Sequence, residues 1–184
     1  VEALFEAAAD VHELTYINIG GGIGIDYART GKNFNLPAYG RALGELAQQL
    51  ESKLGRTIQV VVEPGRALVA KCGVFLTRVT DLKHLGGKRY VGVDASVAQF
   101  PRPFHHPESP HQINAMPRHG LDLTPRIPSI VFGCTTFSKD ILGTADLPEN
   151  LRIGDILACE DAGAYSESMI SRFLGQPLPL IIYE

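Results

Sequence analysis

The sequence predicts an α/β unit over residues 1–72 followed by a mostly antiparallel β domain over residues 73–184. Three observations carry this. Helical and strand-like periodicities alternate as far as residue 66. Each predicted strand in that stretch ends in a run of glycine or polar residues. Beyond residue 72 the chain turns to β-rich runs, a hairpin signal and proline-rich loops.

Residues 1–14 predict an amphipathic helix, with Val1, Leu4, Phe5, Ala8 and Val11 on one face. The pattern is already running at Val1 with no capping residue before it, which predicts a piece of a longer protein. Residues 15–19 predict a short apolar strand leading into Gly20-Gly21-Gly22. Residues 37–54 predict a second helix. Pro37 suits its first turn, Leu43, Leu46, Ala47, Leu50 and Leu54 share a face, and Gly55 sits where a C-terminal cap belongs. Residues 57–62 predict a second strand, ending at Glu63-Pro64-Gly65-Arg66. Helix–strand alternation of this kind implies parallel strands, and two such units can form the last portion of a barrel. Strands are then expected over 74–85 and 89–95, joined at Gly86-Gly87, and over 129–133, 153–160 and 178–183. Residues 99–128 hold seven of the twelve prolines and four of the six histidines, so little regular structure is expected there.

Composition narrows the function classes. Apolar residues are 45% and charged residues 20%, which suits a packed core. The net charge is −3 and basic residues are dispersed, so no nucleic-acid surface is expected. No apolar run approaches the length of a membrane helix, and a cytoplasmic setting is the default expectation. Cys72, Cys134 and Cys159 have neither metal nor redox spacing and are expected to be small buried hydrophobes. His105, His106, His111 and His119 match no zinc spacing; solvated or substrate-facing loop positions are expected, with no metal.

Three motifs bear chemistry, and one further group of residues does not. Glycines after a strand let backbone N–H groups approach an anion, although a flexible turn is the bland alternative for Gly20-Gly21-Gly22. Arg66 can bind a phosphate in a bidentate manner and Glu63 can hold a cationic ring nitrogen, or the two can form a plain ion pair. Tyr165 in Gly163-Ala164-Tyr165 is by itself expected in the core rather than at a polar site. Serines at 138, 166, 168 and 171 lack a nucleophile elbow.

The order of these motifs, with Gly154-Asp155, Ser171-x-Phe173 and Pro177-x-Pro179, resembles the fold-type III pyridoxal-phosphate (PLP) amino-acid decarboxylases, the ornithine and diaminopimelate decarboxylase family. The resemblance spans essentially the whole chain. It implies the C-terminal part of a TIM-type barrel followed by a β domain, in a homodimer with shared active sites. It implies that Gly21, Gly22, Gly65, Arg66 and Tyr165 hold the cofactor phosphate and that Glu63 pairs with the pyridine nitrogen. It places the Schiff-base lysine in an earlier segment that this chain lacks, so the chain alone is expected to be inactive. Where the family carries a proton-donating cysteine beside an acidic residue, this chain has Thr136 and Phe137. Arg102-Pro103 matches the family's substrate arm, without the acidic residue that usually follows. Arg102 and Phe137 are therefore the expected substrate contacts, Thr136 a weak acid at the cysteine position, and the substrate an amino acid or derivative other than a simple diamine precursor. The competing readings are a non-catalytic regulatory relative that binds a protein partner and a racemase of the same fold type.

Overall fold

The computed structural model describes residues 1–118 and 125–183. It divides into two compact units, Val1–Ile25 with Lys32–Leu68, and Asp26–Gly31 with Val69–Glu184.

The first unit holds helix α1 (Glu2–Ala8), strand β1 (Tyr16–Asn18), helix α2 (Leu36–Leu54) and strand β2 (Gln59–Val61). α2 forms where the periodicity predicts it. The Asn35 side chain caps it by accepting from the Ala38 N–H at 3.0 Å, and Gly55 ends it with φ +68°. α1 is shorter than expected, because bonds from Asp10 N–H to the Ala7 carbonyl and Val11 N–H to the Ala8 carbonyl turn the chain toward β1. β1 and β2 pair in parallel. Phe5, Ala8, Ile17, Leu50 and Ile58 form the core of this unit.

The second unit is built on six strands: β3 (Phe75–Leu85), β4 (Lys88–Val93), β5 (Ile113–Ala115), β6 (Arg126–Phe132), β7 (Ile141–Pro148) and β8 (Ile156–Cys159). Their order is β5-β8-β3-β4-β6-β7, and only the β4–β6 pairing is parallel. The end strands β5 and β7 approach each other, so the sheet curls nearly closed around Val79, Val91, Val93, Phe100, Leu142 and Leu157. Gly86 and Gly87, at φ +57° and +75°, make the tight β3–β4 turn.

Three expectations are corrected. β7 was not predicted. Gly143, Asp146 and Pro148 interrupt its pattern, and a bulge in the β6–β7 pairing lets Leu142 and Leu147 both point inward despite their odd spacing. Proline is tolerated because β7 is an end strand. Residues 99–128 are more regular than expected, holding helix α4 (Arg102–His105), β5 and the start of β6. Residues 178–183, expected as a strand, form none; Leu180 and Ile182 are 87% and 75% exposed. Apolar β-formers make a strand only where a neighbouring backbone accepts their hydrogen bonds.

Candidate functional site

The site is built at the carboxyl ends of β1 and β2. Their parallel register, Asn18 opposite Val61, makes both chains leave the sheet at one end. The ladder then runs on past the strands. Ile19 N–H donates to the Val61 carbonyl at 3.0 Å, and Glu63 N–H donates to the Gly20 carbonyl at 2.7 Å. This draws the glycine run against Glu63-Pro64-Gly65-Arg66. A Cβ on Gly21 would overlap the Glu63 carbonyl, so only glycine fits there. Gly20 and Gly22, at φ +71° and +89°, hold the left-handed backbone on either side. Successive N–H groups in such a concave turn receive anions.

Glu63 is exposed at the mouth of this turn, and its Oε1 accepts from Asn18 Nδ2 at 2.7 Å. Asn18 Oδ1 in turn accepts from the Gly20 N–H at 2.8 Å. Gly65 N–H folds back to the Glu63 carbonyl at 2.9 Å and opens the short helix α3 (Gly65–Val69), on which Arg66 is half-buried. The structure thus brings Gly21, Gly22, Glu63, Gly65 and Arg66 to one end of one two-stranded sheet. An anion suits the backbone turn and the guanidinium; a protonated ring nitrogen suits the carboxylate.

The second unit carries the other predicted residues. Asp140, 3% exposed, organises the loop that bears Thr136 and Phe137. Its carboxylate accepts from Val97 N–H at 2.8 Å, from Thr135 N–H at 3.0 Å and from the Thr135 hydroxyl. Gly133 has no room for a Cβ beside that carboxylate. Thr136 is exposed, and the Phe137 ring meets Phe104 and Phe173 edge-on, each at 5.6 Å. Arg102 is buried, with its guanidinium 3.4 Å above the Tyr27 ring and a 2.7 Å bond to the Ser109 carbonyl. Tyr165 is 47% exposed at φ +63°, not the core residue that its sequence context by itself predicts. The chain before it crosses so closely that a Cβ on Gly163 would strike the Val69 carbonyl. Ala164, 2% exposed, takes the buried position beside it, and the tyrosine stands outside.

Among the described residues the histidines are not gathered into a site. His111 lies in a loop as expected but is buried rather than solvated or substrate-facing, between Tyr27 and Phe100 with ring centroids at 4.7 Å from each. His106 pairs with Glu108 at 3.3 Å, and His119 lies outside the described residues. The cysteine expectation is also corrected: only Cys159 is buried, while Cys72 and Cys134 are exposed. Burial pushes the Cys159 thiol up to about 12. Burial first, and the nearby Asp140 charge second, push the Cys134 thiol up as well. In the folded chain at pH 7.5, a maleimide should therefore label Cys72 first, Cys134 slowly and Cys159 only after denaturation. Rapid native labelling of Cys159, read by mass spectrometry, would contradict this packing.

Sequence reading passed over one residue at this site, Asn18. Its signal was a polar side chain in the otherwise apolar run Tyr16-Ile17-Asn18-Ile19 immediately before the glycines.

Known proteins match this chain over most of its length. The family described as "Pyridoxal-dependent decarboxylase, C-terminal sheet domain" matches residues 11–163. The diaminopimelate decarboxylase of Escherichia coli K12 is 31% identical over 183 residues, covering 94% of this chain and 43% of that protein. That of Helicobacter pylori 26695 is 34% identical over 169 residues, covering 90% and 38%. A crystal structure of diaminopimelate decarboxylase matches with a TM-score of 0.86 at 30% identity, over 97% of this chain and 45% of that one. The diaminopimelate decarboxylase from M. jannaschii, solved with L-lysine, matches with a TM-score of 0.82 at 25% identity, over 97% of this chain and 40% of that one. This chain spans less than half the length of these relatives. With its glycine turn and Glu63 at the carboxyl ends of parallel strands, and a curled sheet following them, the chain belongs to the pyridoxal-dependent decarboxylase family.

Proposed function

We propose that the intact protein containing this chain is a PLP-dependent decarboxylase of an amino acid or amino-acid derivative. One observation carries the reading: Gly21 packed against the Glu63 carbonyl, which sets an anion-receiving turn beside a carboxylate. These residues fit the family's cofactor. The backbone at Gly21 and Gly22, with Gly65 and Arg66, would hold its phosphate. Glu63 would hold a proton at its ring nitrogen. The bound ring supplies an electron sink for the carbon that loses carbon dioxide. Tyr165 as a further phosphate contact rests on the family resemblance and on its exposure.

The relatives' names point to diaminopimelate as the first substrate to test. Phe137, packed on Phe104 and Phe173, offers no charge to a distal ammonium group, which disfavours simple diamine precursors such as ornithine. Arg102 would act on the substrate through the segment that it braces, since its own guanidinium is buried. Thr136 would stand at the proton-donor position, where a hydroxyl is a weaker acid than a thiol. The reading includes a homodimer with shared sites and a cytoplasmic setting.

The test uses the full-length protein with PLP, measuring carbon dioxide release from diaminopimelate, lysine, ornithine and arginine. Release from diaminopimelate is expected, and Glu63→Gln should lower kcat by about a hundredfold. No release from any of the four, together with no PLP absorbance trapped by borohydride, would overturn the proposal in favour of a non-catalytic relative.

A further inference from the structure

We propose that Asn18 is the positioning residue of this site, its amide locking the Glu63 carboxylate to the first turn of the glycine run. The inference rests on the proposed function, which assigns the glycine run and Glu63 to opposite ends of the cofactor.

The amide's orientation is set by its neighbours. The Gly20 N–H can only donate, so the atom 2.8 Å away is the amide oxygen. The amide nitrogen is thereby turned toward Glu63 Oε1, 2.7 Å away, and donates to it. One side chain satisfies a backbone donor on the turn and a carboxylate on the next strand's end. The sheet places them so: Asn18 pairs with Val61, and Glu63, two residues on, returns to the same side. One Glu63 oxygen is thus occupied, and under the proposed function the other would meet the ring nitrogen. Asn18 and Glu63 are both exposed, where a hydrogen bond adds little to stability because water competes for it. What the bond does add is direction. A free glutamate turns through several rotamers, whereas this bond favours the one in which Oε1 meets the Asn18 amide.

The experiment is a double-mutant cycle on the full-length protein with PLP, using Asn18→Leu and Glu63→Gln. Leucine has nearly the size of asparagine and neither donor nor acceptor. Asn18→Leu alone should lower kcat by at least about tenfold with the substrate KM little changed. It should also weaken PLP more than pyridoxal, which lacks the phosphate, because the turn loses its tie. In the Glu63→Gln background, Asn18→Leu should lower kcat no further, since the group that it orients is already altered. Undiminished kcat in the Asn18→Leu single variant overturns the proposal. So do losses that multiply in the double variant, because Asn18 then acts independently of Glu63. A wild-type protein that binds no PLP, or a Glu63→Gln variant with full kcat, overturns instead the functional reading beneath it. If Asn18→Leu does not fold, Asn18→Ser goes through the same cycle with the same outcomes.

Discussion

Gly21→Ala should weaken PLP binding by the intact protein roughly ten- to a hundredfold while the second unit stays folded. The added Cβ would overlap the Glu63 carbonyl, a backbone atom that cannot rotate away as a side chain would. Either the glycine turn or the β2 end must move, and overpacking of this kind costs about 1–3 kcal/mol. Each 1.4 kcal/mol is tenfold in a binding constant. The displacement falls on the groups assigned to the phosphate and on Glu63 together, so most of the strain should appear in binding. Gly24→Ala is the internal control. A Cβ there meets nothing within 4 Å, so affinity should be unchanged. Titration followed by cofactor absorbance measures both variants. Wild-type affinity in Gly21→Ala would mean that the turn does not hold the cofactor.

Arg89→Met should cost about 3 kcal/mol of stability, the largest effect expected from a single change in the second unit. Arg89 is 4% exposed. It donates to the Ser129 hydroxyl at 2.8 Å and to the carbonyls of Leu147 at 2.9 Å and Pro148 at 2.8 Å. It thereby ties β4 to β6 and to the end of β7. Burial pushes the guanidinium below its ordinary value, with Glu149 opposing, and the ring of acceptors offsets that desolvation. Methionine keeps the stem's bulk but leaves buried carbonyls without donors. The urea midpoint should fall with the m-value unchanged. A midpoint shift that corresponds to only a few tenths of a kcal/mol would show that water reaches those carbonyls.

The elements most legible in the sequence were those with strong local chemistry. α2 carries its own cap residues at Asn35, Pro37 and Gly55 and a continuous apolar stripe. The β3–β4 hairpin is announced by Gly86-Gly87 between two β-forming runs. β7 was illegible because a bulge resets the alternation on which strand reading depends. Residues 178–183 misled in the opposite direction, since composition indicates strand propensity but not whether a partner exists.

The candidate site divides the same way. Gly21, Gly22, Glu63, Gly65 and Arg66 were legible as residue types at strand ends, because glycine, carboxylate and guanidinium after apolar runs are seldom there for packing. Asn18 was not, because a polar residue in an apolar run does not by itself show that its amide reaches a carboxylate far along the chain. Tyr165 was read toward the core, since its positive φ and its exposure are not marked in Gly163-Ala164-Tyr165 itself.

By itself, then, the sequence determined the fold class, the family and the chemical inventory, all of which follow from short-range pattern and motif order. Only the tertiary structure decided which of those groups act together. Parallel pairing of β1 with β2 closes a gap of more than forty residues and sets Gly21 against Glu63, with Asn18 between the glycine turn and the carboxylate. Such contacts belong to register and close approach, which are properties of two strands at once and cannot be read from either one.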